Sequence, residues 1–248
     1  KFPNSLILHL LQTLTMAATQ SNTDEVISQS LMKIQSTNYQ VDPNVSSYPE
    51  ELKMLIVALK RSPLSTVMFS SFPVPMTWLS MVAATDSYNY ATDVITFNLV
   101  NNKRVRLTKN MFIDFLNIPH NPPFFKPTNS QIIFMFNEMG HQPTLEKISD
   151  FRKSSLPCIW NFLFGIFLRC LTGRSVGLDK GRLEVYAMVM GVYYDLSVNY
   201  GTQLWKEFIK SLENTSVDKG ISCARYWSLI LEKVYAKEGI QVPEGEDV

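Results

Sequence analysis

Eight acidic residues, Asp93, Asp114, Glu138, Asp150, Asp179, Glu184, Asp195 and Glu207, are the side chains with which this chain could do hydrolytic chemistry. Carboxylates gathered around divalent cations would serve phosphoryl hydrolysis of the nuclease or transposase kind. Such enzymes set their acids on a multistranded sheet of the ribonuclease H type, whereas this sequence supplies one hairpin. The acids therefore read as helix caps and surface charge. Zinc chemistry lacks ligands at useful spacing: His9, His120 and His141 are scattered, and no two of Cys158, Cys170 and Cys223 are closer than 12 positions. No CxxC or HxxxH pair and no Cys-Cys-His-Cys knuckle occurs. The loop from Gly173 to Gly181 has a glycine-rich, charged composition ahead of a helix, but it lacks Gly-Lys-Ser/Thr and the close Gly-x-Gly-x-x-Gly, so it reads as a solvated connection. A Gly-x-Ser-x-Gly elbow is absent as well. The expectation is a protein with no catalytic residue, no cofactor and no metal.

Two basic clusters are candidates for contact with nucleic acid. Lys103, Arg104, Arg106 and Lys109 lie on the outer side of the hairpin and the helix after it, and Arg169, Arg174, Lys180 and Arg182 flank the glycine loop. Met on one face with Tyr or Phe between them, they could hold a phosphate backbone. The competing reading is a solvated face, because surface strands carry Lys and Arg to protect their edges. Phe124 and Phe125, in the loop from Pro122 to Pro127, are the candidate protein-interaction patch, against the alternative that both tuck into the core.

At 248 residues, 46% hydrophobic and 18% charged, the chain has a globular composition and can bury a sizeable core. A net charge of +1 gives no global attraction to nucleic acid or an anionic membrane. Three cysteines at wide spacing suit buried, reduced thiols in the cytosol or nucleus. The longest apolar run, Leu156 to Leu171, is interrupted by Pro157 and Arg169 and is too short to span a bilayer. His9 and Gln12 break what would be the apolar core of a signal peptide between Leu6 and Leu14. A chain beginning at Lys1 reads as a piece of something longer.

These side chains need a scaffold, and its clearest part is Val94 to Pro119. Ile95, Phe97 and Leu99 alternate with polar neighbours, Val105 and Leu107 alternate with Arg104 and Arg106, and Asn101-Asn102 between them suits a tight turn. This predicts a β-hairpin over 94–107, followed by a helix that Thr108 caps. Helices are predicted over Leu6–Leu14, after Asn22 or Thr23, after Pro49, after Ser62-Pro63 and after Val74-Pro75. Further helices are predicted from Ser130 to Gly140, from Leu156 to Leu171, from Leu183 to Tyr194, from Tyr200 to Leu212 and from Ser222 to Ala236. Ser36 to Ser47 has turn composition and reads as a linker. The fold class is mainly α: a multi-helix globular domain with one inserted β-hairpin. It divides into an N-terminal helical extension and linker at 1–47, the main domain at 48–242 and an acidic tail at 243–248.

The order of several motifs carries a resemblance. TrpLeuSer at Trp78, PheLeuAsnIlePro from Phe115, PheMetPheAsnGluMetGly from Phe134, LeuProCysIleTrpAsnPheLeu from Leu156, CysLeuThrGlyArg from Cys170 and AsnTyrGlyThrGlnLeuTrpLysGluPhe from Asn199 follow one another. Together, over about Pro49 to Gln241, they resemble plant proteins encoded in or beside LTR retrotransposons, of the gag-like or plant transposon type. The strand, turn, Thr-started helix and Leu-x-Ile-Pro ending are also similar to the plant mobile domain. The resemblance implies mobile-element ancestry and a non-enzymatic role in self-assembly or protein contact. Nucleic-acid binding is the alternative, and a degenerate transposase or nuclease the second. It carries no catalytic residues over.

Overall fold

The computed structural model describes residues 34–35, 37–120, 123–174, 176–213 and 220–240. The expected helices over 6–14 and after Asn22, and the acidic tail, lie outside these. The described residues form nine α-helices and one small antiparallel sheet, so the fold is mainly α.

Helix α1 (Glu50–Arg61) starts behind Pro49, with Glu50 and Glu51 at its positive end and Lys60 and Arg61 at its negative end. Short α2 (Ser65–Phe69) and α3 (Met76–Thr85) follow, the latter behind Pro75. The sheet is next: β1 (Ser87–Asn89), β2 (Val94–Asn98) and β3 (Arg104–Thr108), in that spatial order. The expected hairpin is β2 and β3, paired from Val94↔Thr108 to Asn98↔Arg104. Asn102 takes the left-handed conformation at φ 60°. The sheet gains a third strand over the predicted hairpin, because β1 is three residues long and too short to show alternation.

Thr108 ends β3 and caps α4 (Lys109–Phe115), its Oγ1 accepting the Met111 amide at 3.3 Å. Helix α5 (Asn129–Glu138) is capped by Thr128, not by Ser130. Thr128 wins because Gln131 stands three residues on: Thr128 Oγ1 accepts the Gln131 amide at 3.3 Å and Gln131 Oε1 accepts the Thr128 amide at 2.9 Å. Helices α6 (Cys158–Leu171), α7 (Leu183–Tyr193), α8 (Tyr200–Leu212) and α9 (Ala224–Lys237) complete the chain.

One aromatic core joins these parts. Phe112 of α4 stacks on Phe208 of α8 with centroids 5.1 Å apart and lies 5.2 Å from Trp205. Trp78 of α3 stacks on Tyr235 of α9 at 3.6 Å, and Phe97 of β2 meets Trp227 at 5.2 Å. Gly201 lets α8 approach α4 closely, since a Cβ there would stand 2.6 Å from Ile113 Cδ1. The first part of the stretch read as a linker is packed, with Thr37, Asn38 and Val41 buried, while Pro43, Asn44, Ser46 and Ser47 are exposed. Its backbone bonds to the rest of the fold, Tyr39 N–H to the Arg169 carbonyl at 3.0 Å and Val41 N–H to that of Met68 at 2.8 Å.

Candidate functional site

An open, mostly apolar groove of about 590 Å³ lies between α5, α7 and the chain on either side. Helix α5 buries Ile132, Met135 and Phe136, so Phe134, two positions from Ile132 and Phe136, is turned outward. It is 66% exposed. Phe134 lines one side of the groove with Ser130 and Gln131, and Met190, Tyr194 and Leu196 line the other. Phe125 closes one part. Its amide donates to the Ser197 carbonyl at 2.7 Å, and it forms a parallel bridge with Val198. The Tyr194 hydroxyl donates to the Glu138 carboxylate, tying the α7 end to α5, and burial, then Glu138, push its pKa up.

Of the predicted patch, Phe125 reaches this groove and packs partly on the core, while Phe124 is half-buried. Phe134 is not among the residues the sequence pattern singles out. The signal was there, a large apolar residue off the buried stripe of its own helix, but Ile132, Ile133 and Phe136 made the whole segment look like core.

The basic residues are placed differently from one another. Arg104 and Arg106 are exposed on β3, with Arg104 Nη2 donating to Thr96 Oγ1 at 3.0 Å. Lys103 pairs with Glu238 at the end of α9, and Lys109 is half-buried. The second cluster is turned inward on the protein. Arg174 donates to the carbonyls of Lys180 at 2.8 Å and Gly177 at 2.6 Å, which folds the glycine loop on itself. Lys180 donates to the Ser149 carbonyl at 2.6 Å, and Arg169 lies 6.0 Å from the Tyr39 ring centroid. Arg182 Nη1 meets both carboxylate oxygens of Glu207 at 3.0 Å. Glu207 is only 2% exposed, and Lys210, 3.5 Å away, also bridges to Glu184. Lys103 is thus tied to α9 and Arg182 to α8.

Several polar groups that look like surface residues in the sequence are buried or half-buried and hydrogen-bonded. Arg225 donates to the carbonyls of Asn38 at 3.0 Å, Ser70 at 3.1 Å and Cys170 at 2.8 Å. It faces the C-terminal end of α6, where carbonyl oxygens favour a cation. His141 is buried and held between two backbone groups, Nδ1 lying 2.8 Å from the Pro143 carbonyl and Nε2 3.3 Å from the Arg152 amide. Asp93 accepts from the Tyr88 hydroxyl at 2.8 Å and from Trp205 Nε1 at 2.7 Å, pinning the β1–β2 turn to α8. Burial pushes the thiols of Cys170 and Cys223 up, to about 12 and about 11, so neither is a nucleophile at neutral pH. The expectation of three buried thiols is corrected at Cys158, which opens α6 and is exposed. Lys153 is depressed by burial and by Arg169.

Among the described residues no three His, Cys, Asp or Glu side chains gather at metal-binding distance, and no helix is long and apolar enough to cross a membrane. The fold and groove together define a mainly α domain with a small sheet and an apolar surface cleft. Compared with protein-family models, curated proteins and solved structures, the chain shows no match.

Proposed function

We infer that this chain is a non-enzymatic domain of plant mobile-element ancestry that associates with further copies of itself through the groove between α5 and α7. The ancestry rests on the order of motifs from Trp78 to Phe208. The association rests on one observation, that Phe134 is 66% exposed beside the groove it lines. A protruding ring and a receiving cleft on one surface are self-complementary, so two copies about a twofold axis can each seat Phe134 in the other's groove. Stable complexes bury roughly 800 Å² per partner. A single groove is smaller, so the contact is weak, in the micromolar range. Incorporating a photoreactive phenylalanine at position 134 tests it: cross-links to Met190 or Leu196 of another copy are expected, and products attached only elsewhere would rule the contact out.

Nucleic-acid contact is the second reading, and the exposure of Arg104 and Arg106 favours it. It is weaker because Arg174, Lys180 and Arg182 are engaged within the fold. It requires an affinity that falls steeply with salt.

A further inference from the structure

The outer edge of β3 carries backbone hydrogen-bonding groups between exposed arginines. The direction of those groups follows from the register. Leu99 N–H donates to the Lys103 carbonyl at 2.9 Å, while Asn98 N–H turns the other way, to Thr85 Oγ1 at 3.0 Å. Backbone polar groups point to alternate sides along a strand. Phe97 and Ile95 therefore face β3, and their partners Val105 and Leu107 face back to them. The N–H and C=O groups of Arg104 and Arg106 therefore point away from β2, on the side where β3 is the last strand of the sheet among the described residues. Both residues are exposed, and their side chains stand on the solvent face above Thr96 and Asn98.

We propose that the β3 edge binds an extended acidic segment of a partner protein as a fourth strand. The backbone of Arg104 and Arg106 supplies the ladder, and their guanidinium groups pair with carboxylates on alternate residues of the added strand. Charge selects this partner. A second copy of β3 would bring arginine against arginine across the new pair, which is repulsive, and an apolar strand would leave both cations without partners. Single-stranded nucleic acid binds where aromatic faces interleave with cations. The residue between the two arginines is Val105, whose side chain faces the other side of the sheet. This site is separate from the Phe134 groove, so the two readings stand or fall independently.

The test is fluorescence anisotropy on the full chain with a labelled peptide alternating Glu and Val. Binding is expected, and the double variant Arg104→Glu/Arg106→Glu weakens it at least about tenfold while leaving the thermal melt unmoved. N-methylation of alternate peptide amides abolishes it, and a Lys-Val peptide does not bind. No binding by the wild-type chain, equal binding of the N-methylated peptide, or tighter binding of oligothymidylate than of the peptide would each overturn the proposal.

Discussion

Arg225 is a buried cation held by carbonyls of residues far apart in the chain, those of Asn38, Ser70 and Cys170. Replacing it by Met keeps much of the volume and leaves the Asn38 and Ser70 carbonyls without this donor. Urea unfolding of Arg225→Met should show a loss of about 3 kcal/mol. Asp86 acts with the opposite sign. It ends α3, where the helix's negative end disfavours an anion, and burial raises its pKa from the ordinary 3.8 to about 6. A carboxyl raised on folding holds its proton more tightly in the native state, so its contribution is fully present below pH about 4 and is lost as pH rises through about 6. Asp86→Asn should therefore match the wild type near pH 4 and be more stable at pH 7 by about 1–2 kcal/mol. Thermal melts at the two pH values check this, and equal melting temperatures at pH 7 would contradict it.

The packing of α4 on α8 depends on a missing side chain. A Cβ at Gly201 would lie 2.6 and 2.7 Å from the δ1 and γ1 carbons of Ile113, which is itself buried. Gly201→Ala should cost about 1–3 kcal/mol by overpacking. Ile113→Ala alone should also destabilise, but the double variant should lose less than the sum, because the clash is removed with the side chain. Additive losses in chemical denaturation would show that the helices do not meet there. The elements themselves were largely legible: the Asn101-Asn102 turn, the Thr108 cap and the apolar stripes of α6, α8 and α9 are local signals. What was not legible depended on tertiary contact. Strand β1 is three residues of Ser, Tyr and Asn that become a strand only by pairing with β2. Residues 36–47 carry turn composition, yet Asn38 is buried and its amide nitrogen reaches the Cys170 carbonyl at 2.6 Å. Arg182 and Glu207 looked like separate surface charges, and only the fold brings α8 under the glycine loop.

At the scale of the whole molecule, most large aromatics among the described residues lie in one core, and few large apolar side chains of those residues are exposed. Among the exposed ones Phe134 lines the apolar groove. The sequence pattern points to this neighbourhood through Phe125, which lines the groove, but not to the exposed ring of Phe134, because exposure of one helix face is decided by what packs on the other. Since Phe134 is exposed, Phe134→Asp should leave the fold and its melting temperature unchanged while adding charge to the patch. The direct measurement is light scattering over a concentration series reaching the high micromolar range, for the wild type and Phe134→Asp side by side. A wild-type mass that climbs above the monomer's 28.3 kDa while the variant stays there is the predicted result. A wild-type chain that remains at the monomer mass throughout, or a variant that associates equally well, would contradict it.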